Sequence, residues 1–156
     1  MTSSSWTASL LQSIDKNRPQ PLFFNLCTLS RLDKSPRSRT VVCRKLQHSG
    51  GRILICTSTV SEKWKELRSD PRFELCWYFT ESREQYRLKG DRVEFLLRVE
   101  DADADQVWQD MSDSAKQTFT KVIGDKKDPF GVLAFHPSAV ELLELTSGKI
   151  STWESE

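Results

Sequence analysis

Histidine, methionine and cysteine are scarce in this chain of 156 residues: two His, two Met and four Cys. His48 and His136 have no ligand partner at metal-binding spacing, so both read as solvent-exposed and no metal site is expected. Cys27, Cys43, Cys56 and Cys76 each sit in an apolar or β-rich run without CxxC spacing. They read as small buried hydrophobes in a reducing compartment rather than as a disulfide framework. No stretch of 18 apolar residues occurs, and the N-terminus MTSSSWTASL has no basic segment leading into an apolar run. A soluble cytoplasmic protein without membrane association is the expectation. Neither sign of charge dominates: 23 Lys and Arg against 22 Asp and Glu leave +1. No overall field would gather nucleic acid, so any anion site must be local. The acidic run Asp101, Asp103, Asp105 lacks the Gly and terminal Glu of a calcium loop and reads as helix N-terminal charge.

What is present is an apolar share of 37% with eight Phe, five Trp and two Tyr, enough for a folded core. The length suits one domain over 1–156, with a helical segment in 1–20, a helical insertion over 101–123 and a short C-terminal tail over 146–156. Trp6, Leu10, Leu11 and Ile14 recur at helical spacing behind a Ser-rich start, and Pro19 and Pro21 stop them. Leu22 to Leu29, Ser38 to Leu46 and Arg52 to Thr57 read as strands separated by turn residues. Thr59-Val60-Ser61-Glu62 matches a capping box, predicting a short helix that buries Val60, Trp64 and Leu67. Phe73 to Phe79 is a further strand, and Gln85 to Glu100 a long one bent or broken at Gly90-Asp91. Val107, Trp108, Met111, Ala115 and Phe119 then recur at helical spacing, with Ser112 as a cap inside that stretch. Lys121 to Pro129 is a polar loop, and Phe130 to Phe135 and Val140 to Leu145 are the last strands. The result is mainly β: six or seven antiparallel strands, closed into a β-barrel with flanking helices.

Three blocks could carry chemistry. In Arg39-Thr40-Val41-Val42-Cys43-Arg44, strand alternation sends Arg39 and Arg44 to opposite faces, where each could meet a different ligand. A guanidinium suits phosphate, although solvated strand arginines fit the pattern equally well. Thr57 and Ser58, followed by Ser61-Glu62-Lys63 at a helix start, could cradle a phosphate or form an ordinary capped helix with a surface Lys. Gln85 offers both hydrogen-bond donors and acceptors, yet by itself reads as a strand residue.

In this order, RTVVCR, TSTVSEKWKEL and ELCWYFTESREQYRLKG resemble the FMN-binding split barrel of the pyridoxamine 5'-phosphate oxidase-like family, in its smaller and less characterised branch. The resemblance runs from about Trp6 to about Leu145. It implies that Arg39, Thr40, Val41 and Val42 lie along FMN, that Cys56 and Thr57 contribute backbone and hydroxyl, that Lys63 meets the phosphate and that Gln85 reaches the ring. Arg44 stands where the family faces the substrate, and the implied assembly is a homodimer with FMN at the subunit interface. An FMN-dependent oxidoreductase acting on a small amine, alcohol or B6 phosphate is the implied activity; the alternatives are a non-catalytic FMN-binding module and a dimeric scaffold. Two departures stand out. Glu62 occupies the place of an Arg beside the phosphate-binding Lys, where a carboxylate would repel the phosphate unless turned to solvent. The basic loop Lys121 to Lys127 and the ending Trp153-Glu154-Ser155-Glu156 do not match the oxidases' substrate segments, so no substrate identity carries over.

Overall fold

Ser5 opens the first helix, α1 (Trp6–Lys16), by accepting from the Ala8 N–H at 3.2 Å. In this computed structural model, which describes residues 5–120 and 129–155, α1 buries Thr7, Leu10, Ser13 and Ile14. Leu11, expected on that stripe, is instead 41% exposed. Two serines take over part of the docking, since Ser9 and Ser13 hydroxyls both bond the Tyr86 hydroxyl, at 2.8 and 2.7 Å. Buried Asn17 fastens the far end by donating to Ser82 Oγ at 2.9 Å and accepting from the Glu81 and Ser82 N–H groups.

The strands are β1 (Phe23–Leu29), β2 (Pro36–Val42), β3 (Lys45–Gln47), β4 (Arg52–Ser58), β5 (Phe73–Phe79), β6 (Glu84–Gly90), β7 (Arg92–Leu96), β8 (Phe130–His136), β9 (Ala139–Glu144) and β10 (Lys149–Glu154). They form two antiparallel sheets, ordered β10-β9-β6-β5-β1-β2 and β3-β4-β8-β7. The described strands therefore number ten, not six or seven, and their hydrogen-bond ladders do not close into one barrel. The extra strands arise because the chain changes sheets in mid-extension. The stretch expected as one strand over 38–46 divides where the Cys43 N–H bonds Leu22 O in one sheet and the Arg44 N–H bonds Leu54 O in the other. The long strand over 85–100 divides likewise at Asp91 and ends at Leu96. Gly90 suits that corner, because a Cβ there would stand a tight 3.0 Å from the His136 carbonyl oxygen and 3.2 Å from the Phe73 ring. The segment read as a tail over 146–156 contains β10, which pairs with β9 along its whole length.

Between the sheets lies one core, with Trp77, Phe79, Tyr86, Phe135, Leu26, Ile53 and Leu75 almost fully buried. Strand β4 is buried on both faces, which explains its continuous apolar run: Ile53 and Ile55 enter this core, while Leu54 joins a second one. That second core lies under α3 (Ala102–Asp110), which contributes Ala104 and Val107. Asp101 caps α3 by accepting from the Asp103 and Ala104 N–H groups, as the acidic run suggested. Ser112 caps α4 (Asp113–Thr120) through the Ala115 N–H at 3.2 Å. Expectations for Lys121 to Lys127 lie outside the described residues.

Two further expectations are corrected. The helix α2 (Glu62–Ser69) is capped by Ser61, not Thr59, because the Thr59 N–H is still engaged with the Pro129 carbonyl at 2.7 Å as the chain leaves β4. Val60 accordingly precedes the helix, and Glu66 joins Trp64 and Leu67 on its buried face. His136 is not solvent-exposed: its side chain is 14% accessible and bonds Glu94, which also pairs with Arg52 at 3.1 Å. His48 is exposed in the β3–β4 turn and bonds Thr7 at 2.6 Å.

Candidate functional site

At the end of β2 the switch between sheets opens a cleft of about 260 Å³. It is lined by Arg39 to Val42, Arg44, Cys56 and Lys63, with Ala115, Thr118 and Phe119 of α4 as its outer wall. Three cations and no carboxylate thus occur among the described residues lining it. Arg39 and Arg44 share this cleft rather than facing opposite ways, because β2 ends at Val42 and alternation does not continue through the corner.

Each cation has a defined mooring. Lys63 lies in the first turn of α2, so the helix start aims it at the end of β4, where its Nζ donates to Thr57 Oγ1 at 3.0 Å. Thr57 itself is buried behind the cleft and bonds Ser61 Oγ at 3.1 Å. Burial, and then the neighbouring charge of Arg39, hold the Lys63 ammonium below its usual pKa, while Glu66 acts in the opposite sense. Arg39 donates from Nη1 to Thr28 Oγ1 at 2.6 Å and from Nη2 to Glu66 Oε1 at 2.9 Å. Glu66 is 1% exposed and also accepts from Thr28 Oγ1 at 2.9 Å. Burial pushes the Cys56 thiol up despite Arg44 and Lys63 nearby, which disfavours its thiolate. Cys56, Cys27, Cys43 and Cys76 are all free thiols.

Glu62, the residue that would repel a phosphate, is turned away: its side chain is 56% exposed and meets Arg31 at 3.3 Å. Gln85 does not line the cleft. It lies on the outer face of the six-stranded sheet, opposite Tyr78 on one side and Leu143 on the other. Three strand spacings, about 14 Å, separate β6 from β2. Sequence reasoning missed Glu66, Thr28 and the α4 wall. The only local sign of Glu66's burial was its place between Trp64 and Leu67 on the inner face of α2, which a charged residue conceals.

Residues 3–95 match the family model described as pyridoxamine 5'-phosphate oxidase, FMN-binding domain. The chain belongs to that family. A relative within reach of sequence comparison is pyridoxine/pyridoxamine 5'-phosphate oxidase 2 of Arabidopsis thaliana, 36% identical over 93 residues, which are 58% of this chain and 46% of that protein. The chain thus matches less than half the length of this pyridoxamine 5'-phosphate oxidase relative. A pyridoxamine 5'-phosphate oxidase-related, FMN binding protein from Nostoc punctiforme has the same fold, with a TM-score of 0.78 at 22% identity over 99% of this chain and 98% of its own. A heme binding protein from Mycobacterium smegmatis also shares it, with a TM-score of 0.65 at 20% identity over 99% of this chain and 60% of its own. The oxidase-family split barrel is therefore the fold of this chain, and its ligand has to be argued from the cleft.

Proposed function

We propose that this chain binds FMN in the cleft at the end of β2 and acts as an FMN-dependent oxidoreductase on a small amine, alcohol or B6 phosphate. The observation that carries the reading is the convergence of Arg39, Arg44 and Lys63 on one cleft whose described lining holds no carboxylate. Burial first, and then the like charge of Arg39, lower the Lys63 pKa, and an anionic ligand would offset both by favouring the charged ammonium. A phosphate monoester fits this donor set: Lys63 as an ammonium donor, Arg39 as a fork fixed at two of its nitrogens, and backbone along Thr40 to Val42. When bound, FMN would supply two-electron chemistry at its ring, for which the protein contributes placement and electrostatics. Cys56 would sit against it as a neutral thiol, and Arg44 would serve the substrate side.

A homodimer with the cofactor at the subunit interface accompanies this reading. Gln85 stands too far along the sheet to serve the cleft of its own chain, so a second copy would have to supply it. The row that carries it includes exposed apolar residues: Ile150 opposite Leu143 at one end, Tyr78 beside Gln85, and Phe23, two residues beyond the Asn25–Cys76 pair. Phe23, Tyr78 and Ile150 are 50%, 41% and 59% exposed, which favours burial against a partner. No described helix is long and apolar enough to cross a membrane. The four free thiols agree with the reducing cytoplasm proposed as its location.

The test is the visible spectrum of the purified chain together with its mass in solution. A flavin spectrum with a dimeric mass is the expected result. Arg39→Ala should weaken FMN binding by about 1.5–3 kcal/mol, the scale of a charge-assisted hydrogen bond. Colourless protein that gains no thermal stability from added FMN would overturn the reading. Yellow protein whose flavin accepts no electrons from amine, alcohol, B6 phosphate or nicotinamide donors would leave a non-catalytic flavin-binding module instead.

A further inference from the structure

Among the described residues, Glu66 is the one carboxylate buried behind the cleft, and its placement is out of character for a charged helix residue. It is 1% exposed on the inner face of α2, one turn of helix after Lys63, and it meets Thr28 of β1 and Arg39 of β2 where Lys63 meets Thr57 of β4. Its Oε1 accepts from Arg39 Nη2 and from Thr28 Oγ1, each at 2.9 Å, and its Oε2 lies 3.6 Å from Arg37 Nε. Thr28 closes a triangle, because its hydroxyl also accepts from Arg39 Nη1 at 2.6 Å. The guanidinium of Arg39 is thereby gripped at both terminal nitrogens, and its plane is set before any ligand arrives.

We infer that Glu66 is a positioning residue that fixes the Arg39 fork for a phosphate monoester and also tempers the positive charge of the cleft. The inference rests on the FMN reading and deepens it, since it gives the site a preference for the phosphorylated over the unphosphorylated flavin. Two effects of opposite sign follow from one side chain. As a hydrogen-bond acceptor, Glu66 orients Arg39 and favours phosphate binding. As a buried negative charge beside the phosphate position, it opposes an incoming dianion, because Coulomb interactions decay slowly away from bulk water.

Two substitutions separate these effects. Glu66→Gln keeps an oxygen to accept from Arg39 and Thr28 but removes the charge. Glu66→Ala removes both. For FMN, Glu66→Gln should bind roughly fivefold more tightly than the unsubstituted chain, the scale of removing one buried like charge behind a cleft that is itself open to solvent. Glu66→Ala should bind FMN about tenfold more weakly, through loss of a charge-assisted contact that orders the fork. Riboflavin, which lacks the phosphate, should bind all three proteins alike. In an Arg39→Ala background, Glu66→Ala should weaken FMN binding no further, since the group it positions is gone.

The measurements are dissociation constants from quenching of flavin fluorescence, with circular dichroism to establish that each variant is folded. If Glu66→Ala does not fold, the Glu66→Gln comparison of FMN with riboflavin decides alone. Parallel changes for FMN and riboflavin, or a Glu66→Ala effect undiminished in the Arg39→Ala background, would overturn the inference while leaving FMN binding intact. An unsubstituted chain that binds FMN no better than riboflavin would overturn both this inference and the phosphate site on which it rests.

Discussion

Gly131 on β8 and Trp64 on α2 are packed so closely that a Cβ at position 131 would come within 2.6 Å of Trp64 Cζ3. The indole cannot retreat. Trp64 is 93% buried (7% exposed) and meets the Phe95 ring edge-on at 5.1 Å, while Thr59 Cγ2 would crowd the same Cβ from 2.9 Å. The helix that carries Lys63 and Glu66 is therefore seated by the absence of one methyl group. Gly131→Ala should destabilise the fold by about 1–3 kcal/mol, the usual range for overpacking, as measured by urea denaturation. Because α2 would have to lift, FMN binding should weaken with it. Unchanged stability would mean that α2 is not seated on this contact.

Lys63 gives the site a pH dependence. Its pKa lies below the ordinary 10.5, chiefly through burial and secondly through Arg39. A bound phosphate favours the charged ammonium, so binding is tightest below the depressed pKa and weakens as pH rises through it, earlier than for an exposed lysine. Titrations of FMN across the alkaline range should show this decline in the unsubstituted chain and lose it in Lys63→Met. A decline that persists in Lys63→Met would assign the dependence to another group.

The outer face of the six-stranded sheet offers a test of assembly. Phe23 and Tyr78 are 50% and 41% exposed, and both should become buried if a second copy docks there. Phe23→Lys with Tyr78→Lys should then halve the mass in solution and reduce FMN affinity, because the partner's ring contact is lost. Light-scattering chromatography reads the first effect and flavin titration the second. A dimer that survives both substitutions would place the interface elsewhere.

Acid stability should depend on Glu94. The bond from His136, and next the charge of Arg52, hold its carboxyl below the ordinary 4.5. A carboxyl depressed in the folded state contributes stability that is fully present above its unfolded pKa and lost as pH falls through the folded value. Melting temperature followed downward from neutral pH should fall through that acid window in the unsubstituted chain, and Glu94→Gln should flatten that part of the profile. The side chain is 38% exposed, so the effect is a change of slope rather than a loss of fold.

Much of the core and part of the site could be read from the residues alone. Strand β5 alternates buried Phe73, Leu75, Trp77 and Phe79 with more exposed neighbours, and β6 does the same with Tyr86 and Leu88. Both patterns are local and have period two, so they survive whatever the rest of the chain does. The blocks around Arg39 to Val42, Cys56 and Lys63 likewise fall together in one cleft. Glu66 was not legible, since a buried acid is explained only by what surrounds it, and Thr28 and Arg39 come from strands far away in the sequence.

The sequence by itself determined where most of the chain extends or turns helical and which side chains of the central strands seek the interior, because propensity, alternation and capping act over a few residues. Tertiary structure alone decided which sheet each extended segment joins. An extended backbone has the same local conformation whether its partner is Leu22 or Leu54, and the change between them at Cys43 and Arg44 brings the two arginines into one cleft. The same long-range pairing sets Gln85 three strands away from Val42, a separation that the chain's order does not record.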